Sequence, residues 1–128
     1  MLKIGSKLSI LDNSGATSVK IINLRIKKTY KSSNVTFNNI VYCVIKKHIS
    51  NKKLSNKNLI DTLIIGVKKK SSRKNGFYLN FKTNLGVPVV KKKHLYEAIA
   101  TRIYTPIMRE LKKKALLKQI SLLSKQSI

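Results

Sequence analysis

Residues that could carry acid–base or metal chemistry are few and widely separated in this sequence. An enzyme needs an acid, a base or a nucleophile in a defined cluster, and the ligands of a metal ion also occur in clusters. The carboxylates and histidines are instead scattered along the chain: Asp12, Asp61, Glu97, Glu110, His48 and His94. No glycine-rich loop that could cradle a phosphate is present. We therefore predict no catalytic activity, no metal site and no cofactor.

Simple structural roles account for several of these reactive side chains. Asp12 lies in a predicted turn, where its carboxylate can accept hydrogen bonds from nearby backbone amides. Glu110 is expected to form an ion pair with Arg109 or Lys113. Cys43 is the sole cysteine, which excludes an internal disulfide and a cysteine metal cluster. It is expected to be a small residue of the hydrophobic core.

Positive charge is the dominant chemical feature. The chain carries 28 Lys and Arg residues against 4 Asp and Glu residues, a formal net charge of +24, and such self-repulsion opposes compaction. A polyanionic partner is therefore expected, with nucleic acid first and an acidic membrane surface second. Because so few acids balance them, the basic clusters favour phosphate contact over a merely solvated face. The predicted RNA contacts are Lys27, Lys28, Lys46, Lys47, Lys52, Lys53, Lys68, Lys69, Lys70, Arg73, Lys74, Arg102, Arg109, Lys112 and Lys113.

Aromatic residues bear on the kind of RNA that is bound. They make up 6% of the chain, without Trp, whereas binders of single strands usually stack bases on exposed rings. Phe77 and Phe81 alternate with polar neighbours and are expected to face the core. A stacking residue could come from Tyr30, Tyr42, Tyr78, Tyr96 or Tyr104. The sequence thus favours recognition of folded RNA through its backbone and shape.

The elements that position these side chains are mostly strands. Apolar residues alternate over 2–10, which places Ile4 inward. A change of apolar register at Ile21-Ile22 indicates a bulge. Loops are expected at 27–34 and 46–58, and turn-forming residues occupy 12–15. The predicted strands are 2–10, 19–26, 40–45, 59–67 and 85–90.

Turn and helix signals complete the predicted architecture. Asn75-Gly76 predicts a hairpin, and Pro88 suggests the edge or end of a strand. Thr105 is expected to be an N-cap with Pro106 in the first helical position, and a second short helix is expected over 116–123. Short strands without intervening helices predict an antiparallel barrel. We expect one domain over 1–128, with the barrel in 1–100 and a helical segment in 101–128 packed against it.

Three motifs, in order and with similar spacing, identify a family. The chain resembles ribosomal protein fourteen of the large ribosomal subunit. The resemblance rests on Leu11-Asp12-Asn13-Ser14-Gly15-Ala16; on Leu63-Ile64-Ile65, Asn75-Gly76, Phe81, Asn84 and Val87; and on Thr101-Arg102-Ile103-Tyr104, Pro106 and Arg109-Glu110-Leu111, followed by 118–123. The departures are Thr62 for Gly or Ala, Pro88 for an aliphatic residue, Ala100 and Thr105 for glycines, and a loop at 48–58 without Pro or Gly.

The resemblance implies a mainly β fold, a small five-stranded antiparallel β-barrel with two short C-terminal α-helices. It implies a structural constituent of the large subunit that binds large-subunit ribosomal RNA and stabilises its fold near the subunit interface. The implied partners are large-subunit proteins nineteen and three, small-subunit ribosomal RNA at an intersubunit bridge, and a ribosome-silencing factor.

The location is expected to be the mitochondrial ribosome, with a plastid or the bacterial cytoplasm as alternatives. Lys, Ile and Asn, which AT-rich codons encode, are abundant, and the N-terminus shows no signal core or presequence. No apolar run approaches the ~20 residues of a membrane-spanning helix, so no membrane insertion is expected. The alternative functions are a free-standing barrel-type RNA chaperone, a membrane-active basic protein and a metal-dependent nuclease.

Overall fold

The computed structural model describes residues 2–24, 35, 37–50, 54, 59–93, 95–112 and 118–128. Eight strands and two helices lie in this part of the chain. The strands are β1 (Lys7–Ile10), β2 (Ala16–Leu24), β3 (Ile40–His48), β4 (Leu59–Gly66), β5 (Ser71–Ser72), β6 (Tyr78–Leu79), β7 (Leu85–Lys92) and β8 (Leu95–Ala98). The helices are α1 (Arg109–Lys112) and α2 (Lys118–Leu123).

Five strands close into a barrel, as predicted. The order is β1-β2-β3-β4-β7, and these neighbours pair antiparallel. The barrel closes through a parallel pairing of β1 with β7, at Ser9↔Leu85 and Ile10↔Gly86. β8 extends the sheet beyond β7, outside the closed barrel. Closure leaves no unpaired edge among the five barrel strands, which removes the usual site of edge-to-edge aggregation.

The pair β4–β7 separates two hydrophobic cores. Because successive side chains of a strand point to opposite faces, Ile60 and Ile64 enter the barrel core with residues from β1, β2 and β3. Leu63 and Ile65 point outward into a second core. The C-terminal segment covers that second core with Ile103, Ile107, Met108, Leu111 and Ile120. Two-sided burial explains why β4 is almost continuously apolar instead of alternating.

Cys43 confirms its predicted place in the core. The side chain is fully buried on β3 and is a free thiol. Burial raises the pKa of this thiol to about 11, although the neighbouring Thr62 hydroxyl opposes the shift. A thiol with a raised pKa remains protonated at neutral pH and is a poor nucleophile or metal ligand.

The first strand is shorter than the alternation predicted. Gly5 has a φ of 90°, and the Ser6 amide donates to the Lys3 carbonyl at 3.1 Å, so a turn precedes β1. Ile4 lies in this turn and is exposed, so its predicted inward position is wrong. Leu2 is buried nonetheless, because it pairs with Val35 in an isolated bridge.

The middle strands start and end differently from the prediction. β2 begins at Ala16, and its pairing with β3 shifts between Ile21 and Asn23, which confirms the predicted bulge. β3 continues to His48 through the pairs Ser18↔Lys47 and Ala16↔His48, so the predicted loop does not begin at 46. The predicted end of the second strand and the loop at 27–34 lie outside the described residues.

Pro88 does not mark an edge or a strand end. It lies inside β7, opposite Thr62 of β4, and its carbonyl accepts a hydrogen bond from the Ile99 amide at 3.1 Å. In a strand the N–H and the carbonyl of one residue point to the same neighbouring strand, so the N–H that Pro88 lacks would point to the edge of β7 that faces β1 and β8. On that side the pairing with β1 ends at Gly86 and the pairing with β8 begins at Val89. The strand therefore tolerates proline at a gap between two partners.

The first helix begins later than predicted. The Ile107 amide donates to the Gln126 carbonyl at 3.1 Å, and the Ile107 carbonyl accepts from the Ile128 amide at 2.9 Å. These bonds hold the chain extended, so Thr105 is not the N-cap and Pro106 is not helical. α2 confirms a second helix over 118–123, whereas the predicted start at 116 lies outside the described residues.

A close approach between β4 and β7 generates a testable prediction. A Cβ atom added at Gly86 would lie 2.6 Å from Thr62 Cγ2 and 3.3 Å from Leu8 Cδ1. We expect Gly86→Ala to lower the free energy of unfolding by about 1–3 kcal/mol, because the barrel core has no room for the extra methyl group. Urea denaturation followed by circular dichroism measures the change.

The matched double variant Gly86→Ala with Thr62→Ser isolates the cause. Thr62→Ser removes the Cγ2 methyl group that blocks position 86, so the double variant should lose less stability than the sum of the two single losses. Strictly additive losses would contradict the clash as the origin of the effect.

Candidate nucleic-acid interface

The turn after β1 is built by Asp12 and Ser14. The Ser14 amide donates to Asp12 Oδ1 at 2.8 Å, and the Ser14 hydroxyl donates to the same oxygen. Gly15 has a φ of 106°, a conformation that glycine adopts without strain. Burial raises the pKa of the Asp12 carboxyl, while its bonds to Ser14 oppose the shift. Asp12 thus has the predicted turn role, and its other oxygen is buried without a hydrogen-bond partner among the described residues.

Asn13 connects this turn to the start of the C-terminal segment. Asn13 Oδ1 accepts hydrogen bonds from the amides of Thr101 and Arg102 at 3.0 and 3.1 Å, and Asn13 Nδ2 donates to the Thr101 hydroxyl at 2.6 Å. The Tyr104 amide also donates to the Leu11 carbonyl at 3.0 Å. These bonds fix the backbone on which the exposed Arg102 side chain stands.

The same turn contacts the end of β3. The Ile49 amide donates to the Gly15 carbonyl at 2.8 Å, and the Thr17 hydroxyl donates to the Lys47 carbonyl at 3.1 Å. Lys46 and Lys47 extend into solvent from this strand end. Lys46, Lys47 and Arg102 therefore stand on segments joined by one turn, and we call these three residues the turn group.

A second set of basic residues lies on and beside the β5–β6 hairpin. The Lys68 amide donates to Asn84 Oδ1 at 3.0 Å, and the Asn84 carbonyl accepts from the Ser9 amide at 2.8 Å. Asn84 therefore holds the base of the hairpin against β1. We call the basic residues of this region, together with Arg109 at the start of α1, the hairpin group: Lys68, Lys69, Lys70, Arg73, Lys74 and Arg109.

Arg73 differs from the other members because its guanidinium is engaged within the protein. Its Nε lies 3.0 Å from Glu110 Oε1, and its Nη2 donates to Glu110 Oε2 at 3.3 Å and to the Ile128 carbonyl at 2.6 Å. The predicted ion-pair role of Glu110 is confirmed, but the observed partner is Arg73, not Arg109. Both groups are partly exposed, so the pair stabilises the fold by about 1 kcal/mol at most. Its effect is to tie the hairpin to α1 and to the C-terminal residue.

The other acids are also engaged near their own strands. Glu97 pairs with Lys92 at 2.5 Å across β7 and β8, and Asp61 is half-buried on β4. Within the described residues, no ion pair neutralises Lys46, Lys47, Lys68, Lys69, Lys70, Lys74, Arg102 or Arg109. Those eight side chains are exposed. The two basic groups thus present nearly all of their charge to a partner.

Several predicted contacts lie outside the part of the chain that the structure describes. They are Lys27, Lys28, Lys52, Lys53 and Lys113, and with them His94. Lys112 is the last residue of α1. His48 is exposed at the end of β3, beside Lys47.

Among the described residues, no group of three or more His, Cys, Asp or Glu side chains could hold a metal ion. No helix in the described ranges is long and apolar enough to cross a membrane.

Comparison with known proteins identifies the family. Residues 1–127 match the family described as Ribosomal protein L14p/L23e. The chain belongs to this family. A curated relative is Large ribosomal subunit protein uL14 of Petrotoga mobilis (strain DSM 10674 / SJ95), which is 30% identical over 122 residues, 95% of this chain and 96% of the relative. Members of a ribosomal protein family are structural constituents of the ribosome, and no feature of the described residues points to catalysis.

The hairpin of this L14p/L23e chain exposes one aromatic ring that was predicted to face the core, next to a tyrosine that was a candidate for base stacking. Phe77 is 73% exposed and Tyr78 is 71% exposed, so the predicted core position of Phe77 is wrong. Phe81 is buried as predicted, and Leu79 packs against the second core. Phe77 lies two residues nearer the hairpin tip, beyond the reach of that core. The Asn75-Gly76 signal could have revealed this, because residues that adjoin a hairpin tip project away from the sheet.

The Asn13 bonds predict a specific loss of stability in this L14p/L23e chain. We expect Asn13→Ala to lower the free energy of unfolding by about 1–2 kcal/mol, because it leaves two backbone amides without their acceptor. Asn13→Asp should cost less, because the carboxylate keeps an oxygen that accepts from both amides and its second oxygen can accept from the Thr101 hydroxyl. Thermal and urea unfolding measure both values. Asn80→Ala, at an exposed position, is the control, and an equal loss there would contradict the role of Asn13.

The raised pKa of Asp12 predicts how stability depends on pH. A raised folded-state pKa means that the protonated carboxyl is favoured on folding, so this contribution is fully present below 3.8, the ordinary pKa of an aspartate. It is lost as pH rises through the folded-state pKa. Asp12→Asn has nearly the same shape and cannot titrate. The unfolding free energy of Asp12→Asn minus that of the unmodified chain should therefore increase from about pH 3.5 to about pH 7. A difference independent of pH would contradict the raised pKa.

Proposed function

We propose that this chain binds large-subunit ribosomal RNA and stabilises its fold near the face that meets the small subunit. The observation that carries the proposal is the family match, which extends over residues 1–127. The curated relative is named as a large-subunit protein and covers nearly the same length. We also propose that the chain is a single domain, because β4 contributes buried side chains to both cores.

The exposed bases support RNA as the ligand. Lysine side chains are flexible point charges that suit sequence-independent phosphate contact, and arginine can bind a phosphate through two parallel hydrogen bonds. The turn group and the hairpin group supply such side chains from fixed backbone. The acids Glu97 and Glu110 are paired with Lys92 and Arg73, so they do not repel a phosphate freely. Arg73 serves the interface by positioning the hairpin that carries Lys68, Lys69, Lys70 and Lys74.

The family resemblance suggests further partners. We propose large-subunit proteins nineteen and three as neighbours, small-subunit ribosomal RNA as a contact at an intersubunit bridge, and a ribosome-silencing factor as a regulator.

We propose the mitochondrial ribosome as the location, because Lys, Ile and Asn are abundant. The curated relative is bacterial, which keeps a bacterial cytoplasm or a plastid as alternatives. Fractionation of organelles before ribosome isolation tests this proposal.

A free-standing RNA chaperone is the second candidate function. The exposed Phe77 and Tyr78 rings favour it, since chaperones of single strands bind through such rings. Sedimentation of a native lysate through a sucrose gradient separates the two functions. Migration with the large subunit after a high-salt wash supports the structural role. Release to the top of the gradient supports the chaperone and contradicts our proposal.

Arg102 provides the test at the level of a single residue. Arg102 and Lys125 line the same surface depression, but only the Arg102 backbone is held by Asn13. We expect Arg102→Ala to reduce incorporation into large subunits several-fold, because it removes a guanidinium that stands on a fixed backbone. Lys125→Ala removes a charge nearby and should incorporate almost normally. Quantitative mass spectrometry of gradient fractions measures incorporation, and equal incorporation of both variants would overturn the assignment.

A further inference from the structure

The β5–β6 hairpin presents two aromatic rings to solvent. Phe77 and Tyr78 are 73% and 71% exposed, and a ring of that size in water is unfavourable unless a partner covers it. Alternation along the strand places Phe77 on the side of Leu79 and Tyr78 on the opposite side. The hairpin therefore offers one ring face on each side instead of a single apolar patch.

The rings stand on fixed backbone. Ser71 pairs with Leu79 and Ser72 with Tyr78, the Arg73 amide donates to the Phe77 carbonyl at 2.8 Å, and the Ser71 hydroxyl donates to the Leu79 carbonyl at 3.1 Å. The Arg73 side chain then binds Glu110 and the Ile128 carbonyl. A partner that contacts the rings would have little backbone to order on binding, which favours affinity.

The surroundings of the rings are strongly basic. No Asp or Glu occurs in the sequence between Asp61 and Glu97. Lys68, Lys69, Lys70 and Lys74 are all exposed, and none of them forms an ion pair within the described residues. Protein interfaces are depleted in lysine, because docking would strip water from each ammonium group. Nucleic acid, in contrast, supplies a phosphate for each lysine and a flat base for each ring.

We propose that the rings of Phe77 and Tyr78 stack on unpaired RNA bases, while Lys68, Lys69, Lys70 and Lys74 bind the phosphates that flank those bases. The ligand class is a loop, bulge or single-stranded stretch of RNA. Because the rings lie on opposite sides of the hairpin, each takes a separate base. This inference rests on the proposed function, and it adds base contact to a surface expected to recognise only backbone and shape.

The test uses the full chain and two RNA probes that differ only in bases. One probe is an RNA stem closed by a loop of unpaired adenosines, and the other is the same stem with an abasic loop of equal length. We expect the adenosine probe to bind about a hundredfold more tightly, because two bases stack and each contributes about tenfold. Phe77→Ala and Tyr78→Ala should each reduce this preference about tenfold and leave the affinity for the abasic probe unchanged. Fluorescence anisotropy measures each dissociation constant.

Matched variants separate stacking from charge. Leu122→Ala truncates an apolar side chain of α2 that is 82% exposed, and should leave the preference intact. Lys69→Ala should weaken both probes equally and reduce the slope of log affinity against log salt by ~0.7 per lost contact, the value for single strands. Because Phe77 and Tyr78 are exposed, their alanine variants should unfold at the same temperature as the unmodified chain, which excludes misfolding as the cause.

A tryptophan reporter gives an independent measurement. The chain contains no Trp, so Phe77→Trp introduces a single indole, and stacking should quench its emission with the adenosine probe but not with the abasic probe. Leu122→Trp is the control and should show no difference between the probes.

The outcomes distinguish this inference from the function on which it rests. Equal affinity for the two probes, with a normal salt dependence, would overturn base stacking and leave RNA binding intact. If neither probe binds with an affinity that falls as salt rises, the proposed function itself is overturned.

Discussion

Burial of both faces of the β4–β7 pair is the constraint on which the rest of the structure depends. In most barrels the alternation of apolar and polar residues fixes the register of a strand, since a slip by one residue exposes its apolar face. Here both faces are apolar, so hydrophobicity alone leaves the register undetermined. Shape determines it instead. An added Cβ at Gly86 would lie 2.6 Å from Thr62 Cγ2, and one at Gly66 would lie 2.8 Å from Phe81 Cγ. A register shift would bring side chains into both of these contacts.

The two cores must also hold together a chain with a formal charge of +24. Repulsion among the lysines opposes the compact state, and the few acids offset little of it. Glu97 and Glu110 each bind one base, and they join separate elements of the fold. The remaining positive charge has no partner within the described residues. Such a surface is favourable only beside a polyanion, so the stability of the chain and its proposed binding to RNA depend on the same electrostatic repulsion.

Local patterns in the sequence predicted the barrel, the bulge near Ile21 and the buried Cys43, because burial periodicity is a property of each strand alone. Two of the failures share a physical reason. Ile107 is extended because Gln126 and Ile128 bind its backbone, and Pro88 is tolerated because two different strands flank it. In both cases a distant partner decides the conformation, and no window of local sequence contains that partner. Phe77 is different, because it is exposed where the core ends, beside the local Asn75-Gly76 turn signal.

The candidate interface depends on the C-terminal segment more than on the barrel itself. Asn13 binds the start of this segment at Thr101 and Arg102, while Arg73 binds Glu110 and its last residue, Ile128. The segment therefore anchors the turn group at one end and the hairpin group at the other, and it covers the second core between them. Because both basic groups are fixed to one element, their separation is set by packing and not by flexible loops. A rigid separation suits a protein that must contact phosphates at two fixed places on folded RNA, whereas a binder of free single strands would gain nothing from it.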